Sequence, residues 1–177
     1  TKMLNKFKKL FFLLINLKKK EEDYIKYQSD MFKKYNLNRQ IGDEIFEKIK
    51  KDNKFLDSKM SSEHQIIFSS ISCQRKDIKN ILEIGTYDAK NAFLLSKLFP
   101  KAKILTLDLP DQNKNFKNSY GRKKINKLNN FIEERDQLLK NCKNVTFEKS
   151  NSINLLLENK KFDLIWIDGA HGYPFVT

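Results

Sequence analysis

Three apolar runs in this 177-residue chain end in an acid. The first, Ile81-Leu82-Glu83-Ile84, runs into Gly85-Thr86-Tyr87-Asp88-Ala89. The second is Leu105-Thr106-Leu107-Asp108, and the third is Phe162-Asp163-Leu164-Ile165-Trp166-Ile167-Asp168, followed by Gly169-Ala170-His171. An acid at the carboxyl end of a parallel strand is placed to accept hydrogen bonds from ribose hydroxyls, and a glycine just past a strand lets backbone approach a ligand where a side chain would collide. The helix that starts after Gly85 offers free N–H groups. Gly85 and Asp108 in this register therefore describe a nucleoside pocket. A dinucleotide would need G-x-G-x-x-G, whereas Thr86-Tyr87-Asp88-Ala89-Lys90 holds no further glycine. Glu83 would also face a pyrophosphate unfavourably. A ligand with a cationic amino-acid end suits this loop better.

The elements that must position these residues follow from periodicity. Strands are expected at 81–84, 104–107, 145–148 and 164–167, with helices at 89–99, 131–142 and, briefly, 153–158. Ala92, Phe93, Leu95 and Phe99 give the inward face of the first helix, and Pro100 follows its end. Another helix opens at Ser62, with Gln65 completing a capping box and Ile66, Ile67, Ser70 and Ile71 turned inward. Residues 110–130 read as a long polar loop with a Tyr120-Gly121 turn. The alternation calls for an α/β fold, a parallel sheet with helices on both faces. Residues 21–56 read as helical, with Tyr24, Tyr27, Met31 and Tyr35 as one stripe and Ile41, Ile45, Phe46 and Ile49 as a second beyond a break at Asn36-Leu37-Asn38. Both stripes read as core. The expected organisation is a helical N-terminal extension, 1–56, ahead of an α/β domain, 57–177.

Glu83-Ile84-Gly85-Thr86-Tyr87-Asp88-Ala89 resembles the first motif, E/D-x-G-x-x-x-G, of the class I S-adenosylmethionine-dependent methyltransferases, with Ala89 in place of the last glycine. Asp108 is similar to their ribose-binding acid. Ser150-Asn151-Ser152 is similar to their segment beside adenine, with Asn151 where an aspartate is common. Phe162 to His171 resembles the small-molecule O-methyltransferase branch (methyltransferase domain 24-like), whose fourth strand runs into D-G-x-H. Met60-Ser61-Ser62-Glu63 is similar to the M-T/S-x-E opening of that branch. The resemblance covers roughly residues 55 to 175. It implies a Rossmann-like methyltransferase fold, S-adenosylmethionine as cofactor and O-methylation of a small-molecule or sugar hydroxyl. It places Met60, Ser61, Glu83, Gly85, Thr86, Asp88 and Asp168 at the cofactor, with Glu83, Gly85 and Thr86 at its methionine end. Asp108 would hold ribose, Asn151 and Ser152 would border adenine, and Asp168 and His171 would face the acceptor.

Asp168 carries two readings. In metal-dependent members of the family an acid here binds a divalent cation such as Mg²⁺, which lowers the pKa of the acceptor hydroxyl; otherwise it is a strand-end aspartate that caps the next turn. His171 either takes the acceptor proton or holds Asp168 or a loop carbonyl. His64 reads as structural or exposed, and Trp166 as core. Amino-directed nucleic-acid methyltransferases usually carry an Asn/Asp-Pro-Pro-aromatic run where Gly169-Ala170-His171 stands, which argues against base methylation.

The net charge of +13 describes a lysine-rich solvated surface or an attraction to phosphate or an anionic membrane. Its clusters, at the N-terminus and over 114–127, carry no nucleic-acid motif, so no nucleic-acid partner is expected. Cys73 and Cys142 lack metal-site spacing and are expected within helices as spare thiols, which fits a reducing, cytoplasmic setting. Residues 2–20 hold an apolar centre, Leu10 to Ile15, too short to span a bilayer and without a signal-peptide cleavage site. This segment is either a basic helix in peripheral contact with a membrane through residues 1–20, or a helix packed on its own domain or on a second subunit of a homo-oligomer. The family template has seven strands in the order 3-2-1-4-5-7-6, and this chain supplies the first four. The start at Thr1 and stop at Thr177 read as a fragment that leaves 164–167 as an exposed apolar edge, with poor cofactor binding and little turnover expected of it alone. Two other functions stay open: a non-catalytic nucleotide-binding scaffold, and a membrane- or polyanion-associated interaction protein.

Overall fold

A computed structural model describes residues 19–53, 62–118, 124–157 and 159–169. Residues 19–34 are helical (α1). There follow α2 (Arg39–Asp52), α3 (Glu63–Gln74), β1 (Asn80–Ile84), α4 (Lys90–Leu98), β2 (Lys103–Asp108), α5 (Lys114–Asn118), α6 (Ile125–Lys140), β3 (Val145–Lys149), a 3₁₀ turn (Ser152–Leu157) and β4 (Leu164–Ile167). The strands form one four-stranded sheet in the order β3-β2-β1-β4, and all its pairings are parallel. The α/β fold and the four strands stand as expected.

Local chemistry sets the boundaries. Asn36 takes the left-handed conformation that ends α1 (φ 55°), which asparagine tolerates better than most residues. Asn38 Oδ1 then accepts the Ile41 N–H at 3.1 Å and starts α2. Gln65 Oε1 accepts the Ser62 N–H at 3.1 Å at the start of α3, as the capping-box spacing requires. At the amino edge of the sheet, Asp163 Oδ2 accepts the N–H groups of Lys79 and Asn80, each at 2.8 Å, and ties β4 to the start of β1. These two bonds hold the Asp163 carboxyl below its ordinary range.

Crossover handedness decides which face of the sheet is covered. The β1-α4-β2 and β2-α6-β3 connections step the same way across the sheet, so right-handed crossovers put α4 and α6 on one face. There Ile81, Ile104, Leu94 and Leu95 form a core with Phe46, Ile66 and Phe68 from α2 and α3. The β3-to-β4 connection steps back past two strands, so the same rule sends it to the opposite face. That face holds Leu82, Leu105 and Leu107, with Leu155 of the 3₁₀ turn and Phe162 packed against them. Among the described residues no α-helix covers it, which corrects the expectation of helices on both faces. Ile165 and Ile167 of edge strand β4 remain 52% and 60% exposed.

Four further expectations change. The segment at 110–130 is not one loop, because α5 lies inside it and α6 begins at Ile125, well before 131. Cys142 lies two residues past α6 and is buried, while Cys73 is exposed on α3. The tyrosine stripe of α1 is not core: Tyr24, Tyr27 and Tyr35 are 54%, 61% and 66% exposed, and Phe32 is the α1 residue that enters the core. Period alone cannot choose between adjacent faces of a helix, and the larger rings took the face that water reaches. The second stripe packs inward at Phe46, Ile45 and Ile49, with Ile41 left at the rim.

The expected boundary at 56–57 lies outside the described residues. Phe32 and Phe46 share one core with Ile81 and Leu95. Helices α2 and α3 touch through Gly42, where an added Cβ would lie 2.4 Å from the Ile66 carbonyl oxygen and 3.1 Å from Ser70 Cβ. Gly42→Ala should therefore destabilise the protein by about 1–3 kcal/mol, the usual cost of overpacking, despite alanine's better helix propensity. Urea unfolding measures it, and an unchanged or raised midpoint would show that the α2–α3 contact yields.

Candidate functional site

Parallel pairing brings the ends of all four strands to one edge. Strands β2 and β3 lie to one side of β1 and β4 to the other, so successive connections diverge between β1 and β4, the kind of switch point at which open α/β sheets bind ligands. Gly85, Thr86 and Asp88 follow β1, Asp108 ends β2, Asn151 and Ser152 follow β3, and Asp168 follows β4. The structure thus gathers these expected site residues along a single rim. Met60, Ser61 and His171 lie outside the described residues.

Asp108 is the best-defined acid at this rim. Its Oδ2 accepts the Tyr87 N–H at 2.9 Å, and its Oδ1 accepts the Leu109 N–H at 2.8 Å. A carboxylate offers about four acceptor directions, so each oxygen keeps a lone pair after fixing the loops on both sides of it. The side chain is only half-buried.

The glycine acts differently from the expectation. Gly85 has φ 103°, and an added Cβ would lie 2.0 Å from the Asp168 carbonyl oxygen. The collision is with the protein's own β4 end, not with open space for a ligand. Glycine here lets the β1 loop close against Asp168, whose N–H donates to the Ile84 carbonyl at 2.8 Å. The loop N–H groups of Gly85 and Thr86 are also taken, both by the Leu107 carbonyl, at 2.8 and 3.1 Å. Ala89, standing where the motif has its last glycine, is buried in the left-handed conformation at φ 63°. That conformation costs a non-glycine residue roughly 1–2 kcal/mol, so this position calls for glycine through its backbone rather than for space.

Glu83, expected at the methionine end of the cofactor, is fully buried. Its Oε1 accepts from Asn91 Nδ2 at 2.7 Å. Its Oε2 accepts from the Thr106 hydroxyl, which also lies 2.7 Å from the buried Thr86 hydroxyl. Burial pushes the Glu83 carboxyl up to about 7; the bonds from Thr106 and Asn91 oppose this, and the charges of Asp168 and Asp108 add to it. Asp88 also acts locally. Its Oδ1 accepts the Lys90 N–H at 3.1 Å at the start of α4, and its Oδ2 pairs with Lys90 Nζ at 3.0 Å. Asn151 Oδ1 accepts the Ile153 N–H at 3.1 Å and opens the 3₁₀ turn.

His64 takes the structural one of the two roles left open for it in the sequence. Its ring stacks on Trp166 with centroids 4.8 Å apart and meets Phe68 edge-on at 5.7 Å. Its Nδ1 lies 2.7 Å from Ser62 Oγ. Burial lowers its pKa, and the nearby charge of Asp168 opposes that. The start of α3 is therefore held against the end of β4, two residues before Asp168. Only the alternation that turns Trp166 to the α3 face hinted at this. Glu63, from the Met60-Ser61-Ser62-Glu63 segment, is also engaged, gripped in two-pronged fashion by Arg39 at 2.6 and 3.2 Å. Among the described residues no group of three or more His, Cys, Asp or Glu side chains could hold a metal ion.

Two predictions follow from these buried groups. The folded protein holds the Glu83 proton more tightly than a free chain, so the stability it contributes is complete below pH 4.5 and is lost as pH rises through about 7. Glu83→Gln should remove that slope, worth on the order of 3 kcal/mol across the window; urea midpoints that decline equally in both proteins would refute it. The chain's one tryptophan is Trp166, so its emission should report on His64. Emission should rise with pH as the quenching imidazolium is lost, with a midpoint below the ordinary 6.5, and His64→Phe should abolish the transition. A midpoint at or above 6.5 would contradict the buried stack.

No protein-family model and no curated protein matches the chain. Among solved structures it is similar to a protein from Klebsiella pneumoniae provisionally assigned as an O-methyltransferase, with 21% identity and a TM-score of 0.41 over 72% of this chain and 52% of that one. It is also similar to the precorrin-6y C5,15-methyltransferase of Geobacter metallireducens GS-15, with 22% identity and a TM-score of 0.42 over 66% and 54% of the two chains. The chain spans about half the length of each.

Proposed function

We propose that the protein is an S-adenosylmethionine-dependent methyltransferase acting on a hydroxyl of a small molecule or sugar. The observation that carries this is the seat of Asp108 at the rim, bonded to the β1 loop and its own loop yet with acceptor directions left over. That arrangement suits a pair of ribose hydroxyls beside a switch-point crevice.

When bound, the cofactor supplies an electrophilic methyl group on a sulfonium centre. The chain's own residues would bind and align. Asp108 accepts ribose hydroxyls, and Asn151 and Ser152 border adenine. Thr86 and the Gly85 backbone shape the methionine end. Glu83, one layer below, acts on a cationic end only through its charge. Asp168, exposed at the end of β4, faces the acceptor, and His171 takes the hydroxyl proton. Most of the rate would come from holding oxygen and methyl carbon close and in line. The described residues offer no donor set for Mg²⁺ around Asp168, so no step is assigned to a metal. No described helix is long and apolar enough to cross a membrane. A cytoplasmic setting with a small-molecule acceptor belongs to the same proposal.

Calorimetric titration of S-adenosylhomocysteine into the protein, beside Asp108→Ala, is the test. Micromolar binding weakened at least roughly tenfold by the substitution, the worth of a hydrogen bond to a charged group, is the expected result. A folded protein that binds no S-adenosylhomocysteine would refute the reading in favour of a scaffold role.

A further inference from the structure

A buried arginine grips Asp111, three residues past Asp108. Arg135 is the largest fully buried side chain of the described residues and lies on α6. Its Nη1 donates to Asp111 Oδ1 at 2.9 Å, and its Nε donates to Asp136 Oδ1 at 2.8 Å. Lys149 Nζ donates to the other oxygen of Asp111 at 2.6 Å. The guanidinium carbon lies 4.7 Å from the Phe147 ring centre and 5.7 Å from that of Phe116. One side chain therefore ties together α5, α6, the segment after β2 and the middle of β3.

The position of this cluster gives it meaning. Asp111 is three residues past Asp108, and Lys149 is the β3 residue paired with Asp108 in the ladder. Lys149 also immediately precedes Ser150-Asn151-Ser152. The cluster thus spans the two segments that would flank a nucleoside, one carrying Asp108 and the other Asn151. Its charges are matched, two cations to two carboxylates, and Arg135 reaches no solvent, so it does not bind ligand itself. Burial alone would push the Asp111 carboxyl up, but the bonds from Arg135 and Lys149 outweigh this and hold it below its ordinary range. Two apolar side chains could fill the same volume at no loss of stability. What the planar guanidinium adds is fixed direction, because its donors set where Asp111 must sit.

We propose that Arg135 is a positioning residue that, through Asp111 and Lys149, sets the gap between Asp108 and Asn151 and so the discrimination for a ribose carrying both hydroxyls. This rests on the reading of Asp108 as the ribose acceptor. The test compares the affinities of 5′-methylthioadenosine and its 2′-deoxy analogue for the unaltered protein, Arg135→Met and Asp111→Asn, with unfolding curves run beside them. The unaltered protein should prefer the ribo compound, and both variants should lose that preference by roughly tenfold, the scale of one hydrogen bond to a charged group. General loosening would weaken both ligands alike and leave the ratio intact. A ratio preserved in a folded variant overturns the proposal, and Asp111→Asn alone decides it if Arg135→Met does not fold. An unaltered protein that binds S-adenosylhomocysteine without preferring the ribo compound refutes it as well, while one that binds neither nucleoside nor S-adenosylhomocysteine removes the functional reading beneath it.

Discussion

Glu83 is a carboxylate without access to water on an interior strand, one layer beneath the loop that carries the candidate site. A buried acid is tolerable only when its hydrogen bonds are supplied, and here two side chains supply them and a third joins behind. Thr106 reaches across from β2, Asn91 comes from the first turn of α4, and Thr86 of the β1 loop joins through Thr106. Satisfying one side chain thus fixes the register of β1 on β2, the seating of α4 and the path of the loop between them. The charges of Asp108 and Asp168 are felt at Glu83, so events at the rim and the protonation of the interior are linked. A cationic ligand end would draw Glu83 toward its ionised form.

Around that point the rim is built from the protein's own contacts rather than from vacant donors. Gly85 serves the approach of β1 to β4, Asp88 serves the start of α4, and Asn151 serves the 3₁₀ turn. Asp108 differs because it is only half-buried and its two backbone bonds leave acceptor capacity over. Behind it, the Arg135 cluster holds its neighbours in place. The site therefore divides into a layer that can meet a ligand and a deeper layer that fixes the first.

Much of this was legible in the residues. Strand ends marked by Glu83, Asp108 and Asp168, and the turn at Gly85, follow from local pattern, because a strand buried on both faces reads as an apolar run and its end as a polar break. The helix at 125–130 was hidden because Ile125-Asn126-Lys127-Leu128-Asn129-Asn130 offers little but Leu128 to bury, and asparagine is a weak helix former. The exposure of Tyr24, Tyr27 and Tyr35 was hidden for the opposite reason: their spacing is right for a packed stripe, and only the docking of Phe32 excludes it. Arg135 gave no signal, since its partner Asp111 is 24 residues away, and the partner of His64 lies across the fold at Trp166.

The sequence by itself determined the alternation of strand and helix, the parallel sheet and the acids that end its strands, because these depend on the period of apolar residues and the punctuation between them. Only the tertiary structure decided which of those acids are buried and which stay at the rim. Glu83 and Asp108 look alike along the chain, each an acid near a strand end. Alternation turns Glu83 into the interior beneath α4, whereas Asp108 lies at the rim where the sheet stops. That difference comes from strand register and helix packing, which place residues distant in sequence around each carboxylate, and no local pattern encodes it.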